Sequence, residues 1–275
     1  MNRIFITPKP FNSQKIRPRK VNLQLSADIP KIWHGNSLIV THFFNGINLF
    51  LPSFELMMVR VMKNQLNNIE DSELKKQICG FIAQEANHSQ AHHQYNQILR
   101  KQGYKVEKWL KFTDLILLEI LEKRLGKIVS LATIAGFEHL TTLLAGIVLK
   151  VDMLEAADFR MKELWEWHAA EEIEHSSLAF IYLQKINNSY WLRVLGGILG
   201  AVIVVSFIAG GMLLLVIQER DFFSWKTLTD LNKLLFTKYK LIPYGLKPFL
   251  EYFQFKFRPC NQDVYPLAER VFGNG

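Results

Sequence analysis

Cysteine is scarce in this chain of 275 residues: Cys79 and Cys260 are the only two, too few for a disulfide framework. Residues 1–20 contain no apolar run behind a charged start, so they do not read as a signal peptide, and the expected location is the cytoplasmic side. Also lacking are a Ser-His-Asp arrangement, a phosphate-cradling glycine loop and a dinucleotide fingerprint in strand-then-helix context. A basic excess is missing from the middle of the chain. The net charge is +8, yet residues 1–31 hold seven Lys/Arg against one acid and residues 218–275 nine against six, leaving 17 against 18 in residues 32–217. A nucleic-acid reader carries its basic stripe on the folded module. Here the excess sits on the flanks, which excludes nucleic acid as a partner and suits anionic lipid instead.

What the chain does have is an apolar fraction of 49%, ample for one sizeable core, and a concentration of Glu and His. In Trp167-His168-Ala169-Ala170-Glu171-Glu172-Ile173-Glu174-His175, a helix turning about 100° per residue brings His168, Glu172 and His175 within roughly 60° of one another. Gln84-Glu85-Ala86-Asn87-His88 repeats the theme, with His92 one turn further on. Glu-x-x-His on each of two helices, completed by one Glu from each of two others, is how ferritin-like carboxylate proteins hold a metal pair. Two lone Glu residues fit: Glu55 among Phe54, Leu56, Met57 and Met58, and Glu138 among Phe137, Leu140 and Leu143. Glu55 precedes Glu85 by 30 residues and Glu138 precedes Glu172 by 34, so each half supplies a lone Glu and then a Glu-x-x-His.

The expected ligands are therefore Glu55, Glu85, His88, Glu138, Glu172 and His175, with His168 as a seventh on one metal. Hard oxygen with imidazole suits two ions of iron or manganese. Spacing does not say which carboxylates bridge. His92 is left open, His93 goes to the surface, Glu171 and Glu174 stand outside the ligand set, His139 is structural, and His34 and His42 have no partner that sequence identifies.

The expected fold is all-α: a ferritin-like four-helix bundle with a long second-to-third connection and an additional apolar helix. Residues 1–32 read as an extended basic arm, with Pro8, Pro10, Pro18 and Pro30 preventing helix and Val21, Leu23 and Leu25 alternating as in a short strand. The bundle occupies residues 33–190, with helices over 38–65, from 72 to a basic last turn and Gly103, over 127–150 and over 157–186, and an amphipathic piece at 104–125. Residues 191–220 form an apolar helix and 221–275 a basic aromatic tail. The 24 positions from 194 to 217 carry no charge and as a helix would be about 36 Å long, enough to cross a hydrocarbon layer of about 30 Å. Tyr190 and Trp191 on one side and Phe222, Phe223 and Trp225 on the other stand where interfacial anchors would. The competing reading is a buried fifth helix. Glycines 196, 197, 200, 210 and 211 would allow close helix packing, including homodimerisation.

Four blocks, Thr41-His42-Phe43-Phe44-Asn45, Phe81-Ile82-Ala83-Gln84-Glu85-Ala86-Asn87-His88, Phe137-Glu138-His139-Leu140-Thr141 and Trp167 to His175, resemble in order the bacterial family of predicted metal-dependent hydrolases, from about residue 28 to 189. The resemblance implies metal dependence more firmly than hydrolysis. The motif spacing alone, with His168 added, is also similar to di-iron arylamine N-oxygenases. The expected function is a membrane-associated metal-dependent enzyme acting on a hydrophobic small molecule, by O2 activation or by metal-activated water. The alternatives are a non-enzymatic ferritin-like metal-binding or storage protein and a structural membrane protein with a vestigial site.

Overall fold

The computed structural model describes residues 16–19, 21–220, 222–259 and 264–273. Pro8, Pro10 and Cys260 lie outside the described residues. The described chain is all-helical, without a strand; one isolated bridge joins His34 to Ala157. The expected strand around Val21 to Leu25 does not form. The segment is extended and alternately exposed, but its apolar side chains pack on helices, so there is no second strand to pair with.

Helix α1 (Leu38–Gln65) starts at Ser37, whose side chain accepts from the Val40 amide. It runs through Pro52 without ending. Proline removes the N–H that would bond the carbonyl four residues back, and the freed Asn48 carbonyl instead accepts from Asn96 Nδ2 at 3.5 Å. Helix α2 (Ser72–Lys101) is capped by Asp71 and turns off at Gly103 with φ 94°, a left-handed conformation that glycine adopts without strain. Its pairings with α1, Asn45 with Tyr95 and Pro52 with Ser89, run antiparallel. The chain then returns along α1 through α3 (Glu107–Asp114) and a stretch of widened helical turns at 115–122, tied by Ser53 to Asp114 at 2.6 Å and by Arg60 to Glu122 at 3.2 Å.

Helix α4 (Lys127–Lys150) has the expected bounds. The expected fourth helix is in fact two, α5 (Phe159–His175) and α6 (Leu178–Ile186). The break falls at Ser176-Ser177, adjacent serines whose hydroxyls compete for backbone groups and weaken a helix interior. After it, Leu178, Ala179, Tyr182 and Leu183 bury against the core. Helix α7 (Tyr190–Val216) follows, then α8 (Trp225–Asn232), α9 (Leu241–Glu251) and α10 (Tyr265–Gly273).

Two described helices, α4 and α7, are long and apolar enough to cross a membrane by length and composition. They differ in burial: 72% of the most apolar window of α4 is buried inside the fold, against 33% for α7. Helix α4 is thus a core helix, whereas α7 packs one face along α1 and α4. The glycines serve that packing. A Cβ on Gly196 would lie 2.2 Å from the Ala132 carbonyl oxygen, and one on Gly200 would lie 2.7 Å from the Phe137 nitrogen. At the other end Gly211 meets Gly46.

Gly196→Ala forces α7 off α4, since backbone cannot yield as a side-chain tip can. We expect a loss of about 1–3 kcal/mol in thermal or denaturant unfolding. Gly245→Ala, whose Cβ would meet only an ordinary contact at 3.7 Å, is the control and should lose nothing.

Candidate metal centre

The seven residues read from the motifs come to one volume. Glu55 is carried by α1, Glu85 and His88 by α2, Glu138 by α4, and His168, Glu172 and His175 by α5; all are buried. Their donor atoms form three overlapping trios, each within 4.8 Å: Glu55, His88 and His168; Glu85, His88 and Glu172; Glu85, Glu138 and His175. Each trio could hold a cation. Glu172 Oε1 stands 3.4 Å from His168 Nε2, 4.0 Å from His88 Nδ1 and 3.9 Å from His175 Nδ1, so it faces both ends of the cluster.

Among the described residues, both oxygens of Glu55, Glu85 and Glu138, Oε2 of Glu172, and Nδ1 of His88 and of His175 are buried without a hydrogen-bond partner. Orphaned buried polar atoms are costly and rare in folded proteins, and here they are concentrated on one set of acceptors. Burial first, and then the charge of neighbouring carboxylates, pushes Glu55, Glu85 and Glu138 well above the usual carboxylate range. Burial lifts Glu172 to about 7 in spite of His175. Burial holds His88, His168 and His175 below their ordinary value, so the imidazoles are neutral. Neutral imidazoles and crowded carboxylates are the donors a divalent cation needs.

The hydrogen bonds on the outer side of each imidazole set its proton. Glu171 Oε2 accepts from His88 Nε2–H at 2.9 Å, which leaves Nδ1 as a bare lone pair facing the carboxylates. Gln84 donates through Nε2 to the Arg17 carbonyl at 3.0 Å and to Glu174 at 2.9 Å, so its Oε1 accepts from His175 Nε2–H at 2.7 Å. His175 Nδ1 then faces Glu85 Oε1 at 2.9 Å. For His168 the chain is longer. Asn48 Nδ2 donates to the His92 carbonyl and to Asn96 Oδ1, so Asn48 Oδ1 accepts from His92 Nδ1–H at 2.7 Å. His92 Nε2 is therefore an acceptor and takes His168 Nδ1–H at 3.0 Å, and His168 Nε2 is the nitrogen turned to Glu172. Metal-bound imidazoles are oriented by outer hydrogen bonds of this kind.

Spacing missed this support. His92, left open above, is fully buried and orients His168, while its Nε2 is 4.0 Å from Glu55. Asn48, Asn96 and Gln84 carried no signal beyond being polar on helices with apolar neighbours. Glu171 and Glu174 stand outside the trios, and both are gripped by Arg19 of the extended arm, at 3.1 Å and 2.6 Å. Arg19 in turn lies 3.4 Å over the Phe272 ring of α10. His93 is exposed. His139 stacks on Tyr252 and bonds the Pro248 carbonyl. His34 bonds the Met153 carbonyl at 2.6 Å, and His42 accepts from Asn45 at 3.3 Å.

The helices and side chains thus define a buried carboxylate–histidine centre able to bind metal. The model of the predicted metal-dependent hydrolase family matches residues 17–263, and the chain belongs to that family. The match takes in the arm from residue 17, the centre, α7 and the segment after it as far as residue 263. No curated protein and no solved structure matches the chain.

Two outcomes test the centre. Because burial and mutual repulsion raise the proton affinity of the carboxyls, binding a cation there should expel protons: heats of metal binding should depend on buffer ionisation with the sign of proton release, and affinity should fall from about pH 8 to about pH 6. Glu171→Ala removes the acceptor that fixes His88 and should weaken metal affinity by about 10–100-fold in competition with a chelator, although Glu171 belongs to no trio.

Proposed function

We propose that the protein is a hydrolase with a dinuclear centre of iron or manganese, held by α1, α2, α4 and α5 in a ferritin-like four-helix arrangement, and acting on a hydrophobic small molecule at a membrane. The observation that carries this reading is the set of buried acceptor atoms without partners, four carboxylates and two imidazoles around one volume, in a chain of the predicted metal-dependent hydrolase family. The overlap of the trios supports two ions. One would be held by Glu55, His88 and His168 and the other by Glu138 and His175, with Glu85 and Glu172 as the further carboxylate donors beside them. Such ions lower the pKa of a bound water and polarise the scissile group.

The chain's own part is positional. Outer hydrogen bonds hold the three imidazoles in their binding tautomers, while Phe81 and Trp167, whose ring centroids lie 4.6 Å from His175 and 4.7 Å from His88, keep bulk water from the ligands. A groove of about 460 Å³ between α1, α2 and α3, with an apolar wall of Leu49, Pro52, Leu56, Val59, Ala86 and Leu110 beside polar residues that include Ser89, Arg100 and Asp114, supports a substrate with an apolar part. Leu56 adjoins Glu55 in the chain, and Ser89 adjoins His88. A second reading, O2 activation at a di-iron centre, is favoured by the four carboxylates in the donor set.

Metal analysis of protein purified without an affinity-tag metal should give two equivalents of iron or manganese per chain, and chelation should abolish hydrolysis of long-chain esters or amides. One equivalent would sink the dinuclear centre. An O2-dependent absorption change in the reduced iron form, with no hydrolysis of such substrates, would move the function to the second reading. In His168→Ala one equivalent should be lost more readily than the other.

A further inference from the structure

The inner face of α7 is spoken for along its length, by α4 near Gly196 and Gly200 and by α1 near Gly211. Its outer face is not covered by any of the described residues. Leu195, Ile198, Val202, Val205, Ala209 and Leu213 are exposed at steps of three or four residues, which is one stripe on a helix. Trp191, 75% exposed, and Ile217, 51% exposed, extend it at either end, to a total of about 39 Å. Ser206 is the one polar residue exposed along it. Phe223 and Trp225, just beyond, are 89% and 82% exposed.

A second exposed stripe lies on α9, where Ile242, Leu246 and Leu250 follow at steps of four. This helix is anchored to the start of α7. Arg193 bonds the Tyr252 carbonyl and, at 2.6 Å, the Gln254 carbonyl; Tyr190 bonds the Phe253 carbonyl at 2.8 Å. Around it Lys238, Lys240, Lys247 and Lys256 are exposed, whereas Asp230 is buried and paired with Lys226 and Lys233, and Glu251 is half-buried. Apolar stripe, indole rings and surplus lysine together are the composition of a helix that lies in a lipid interface.

We propose that α7 and α9 lie in the plane of an anionic phospholipid bilayer, the α7 stripe in the acyl region and the metal-bearing helices standing above it, and that α7 does not cross. The inference rests on the membrane site of action proposed above and gives it an orientation. Crossing is opposed by what is fastened to α7. With α1 and α4 clamped along it, α2 and α5 would follow into hydrocarbon, and their outer faces expose Lys75, Lys76, Gln90, His93, Gln94 and Glu163. Charged side chains facing lipid are costly and rare. In the plane, the same body leaves these residues in water and gives lipid only the face that is already apolar.

The experiment uses the full chain with Cys79→Ser and Cys260→Ser. A single nitroxide is placed in turn through Leu195→Cys, Ile198→Cys, Val202→Cys, Val205→Cys and Leu213→Cys, with unchanged metal content as the folding control. Protein is reconstituted with vesicles of phosphatidylcholine and phosphatidylglycerol, and collision rates with O2 and a water-soluble nickel chelate report depth. The expected result is flotation with the vesicles and one common depth at all five positions. A depth profile that peaks near residues 202–205 and shallows toward both ends would show that α7 crosses, overturning the orientation while keeping the membrane. Labels that broaden one another and are shielded from both agents would put a second copy on the stripe and overturn the proposal. Failure to float would overturn it together with the membrane site of action.

Discussion

Four carboxylates pressed together out of water, with no cationic side chain of the described residues among them, are a repulsion that the fold must offset. A single ionised carboxyl in such a place is already unfavourable. Among the described residues neither lysine nor arginine answers it: Arg19 contacts Glu171 and Glu174 on the outer side. Inside, neutral imidazoles present lone pairs to the same volume as the glutamates, which adds donors and no charge. The helices around this cluster are therefore committed to a cavity whose energetics close only with protons or with cations from solution.

Keeping three imidazoles in the right tautomer is the second constraint, and it explains polar residues in otherwise apolar surroundings. Gln84, Glu171 and the pair Asn48–His92 each accept from the outer N–H of one histidine. The Asn48 amide can face only one way, because its N–H groups are taken by the His92 carbonyl and Asn96. Proline at position 52 contributes at a distance, by freeing the Asn48 carbonyl that Asn96 then occupies.

How much of this was legible in sequence varied with the range of the interactions. Helix bounds for α1 and α4 were readable because caps, charge and apolar periodicity are local. Glu55 and Glu138 stood out since a carboxylate amid Phe and Met is conspicuous, and Glu-x-x-His is a property of one helical turn. The support of His168 was not readable: it passes from α5 to α2 to α1, and nothing local marks Asn48 as facing His92. Nor was the split between α5 and α6, where two serines weaken a helix that the apolar pattern continues through. The glycines of α7 were legible as sites of close packing, but which helices they meet is decided by tertiary fit to Ala132, Phe137 and Gly46.

The grip of Arg19 on Glu171 and Glu174, with Phe272 stacked against its guanidinium, has a consequence for the order of assembly. Glu171 accepts the His88 N–H, so the outer support of the centre joins Arg19, which precedes every ligand in the chain, to Phe272, which follows them all. During synthesis the four ligand-bearing helices leave the ribosome well before α10 does. A nascent chain can gather its glutamates and histidines early, but the brace behind His88 is completed only when α10 has emerged, and capture of metal at full strength waits for it.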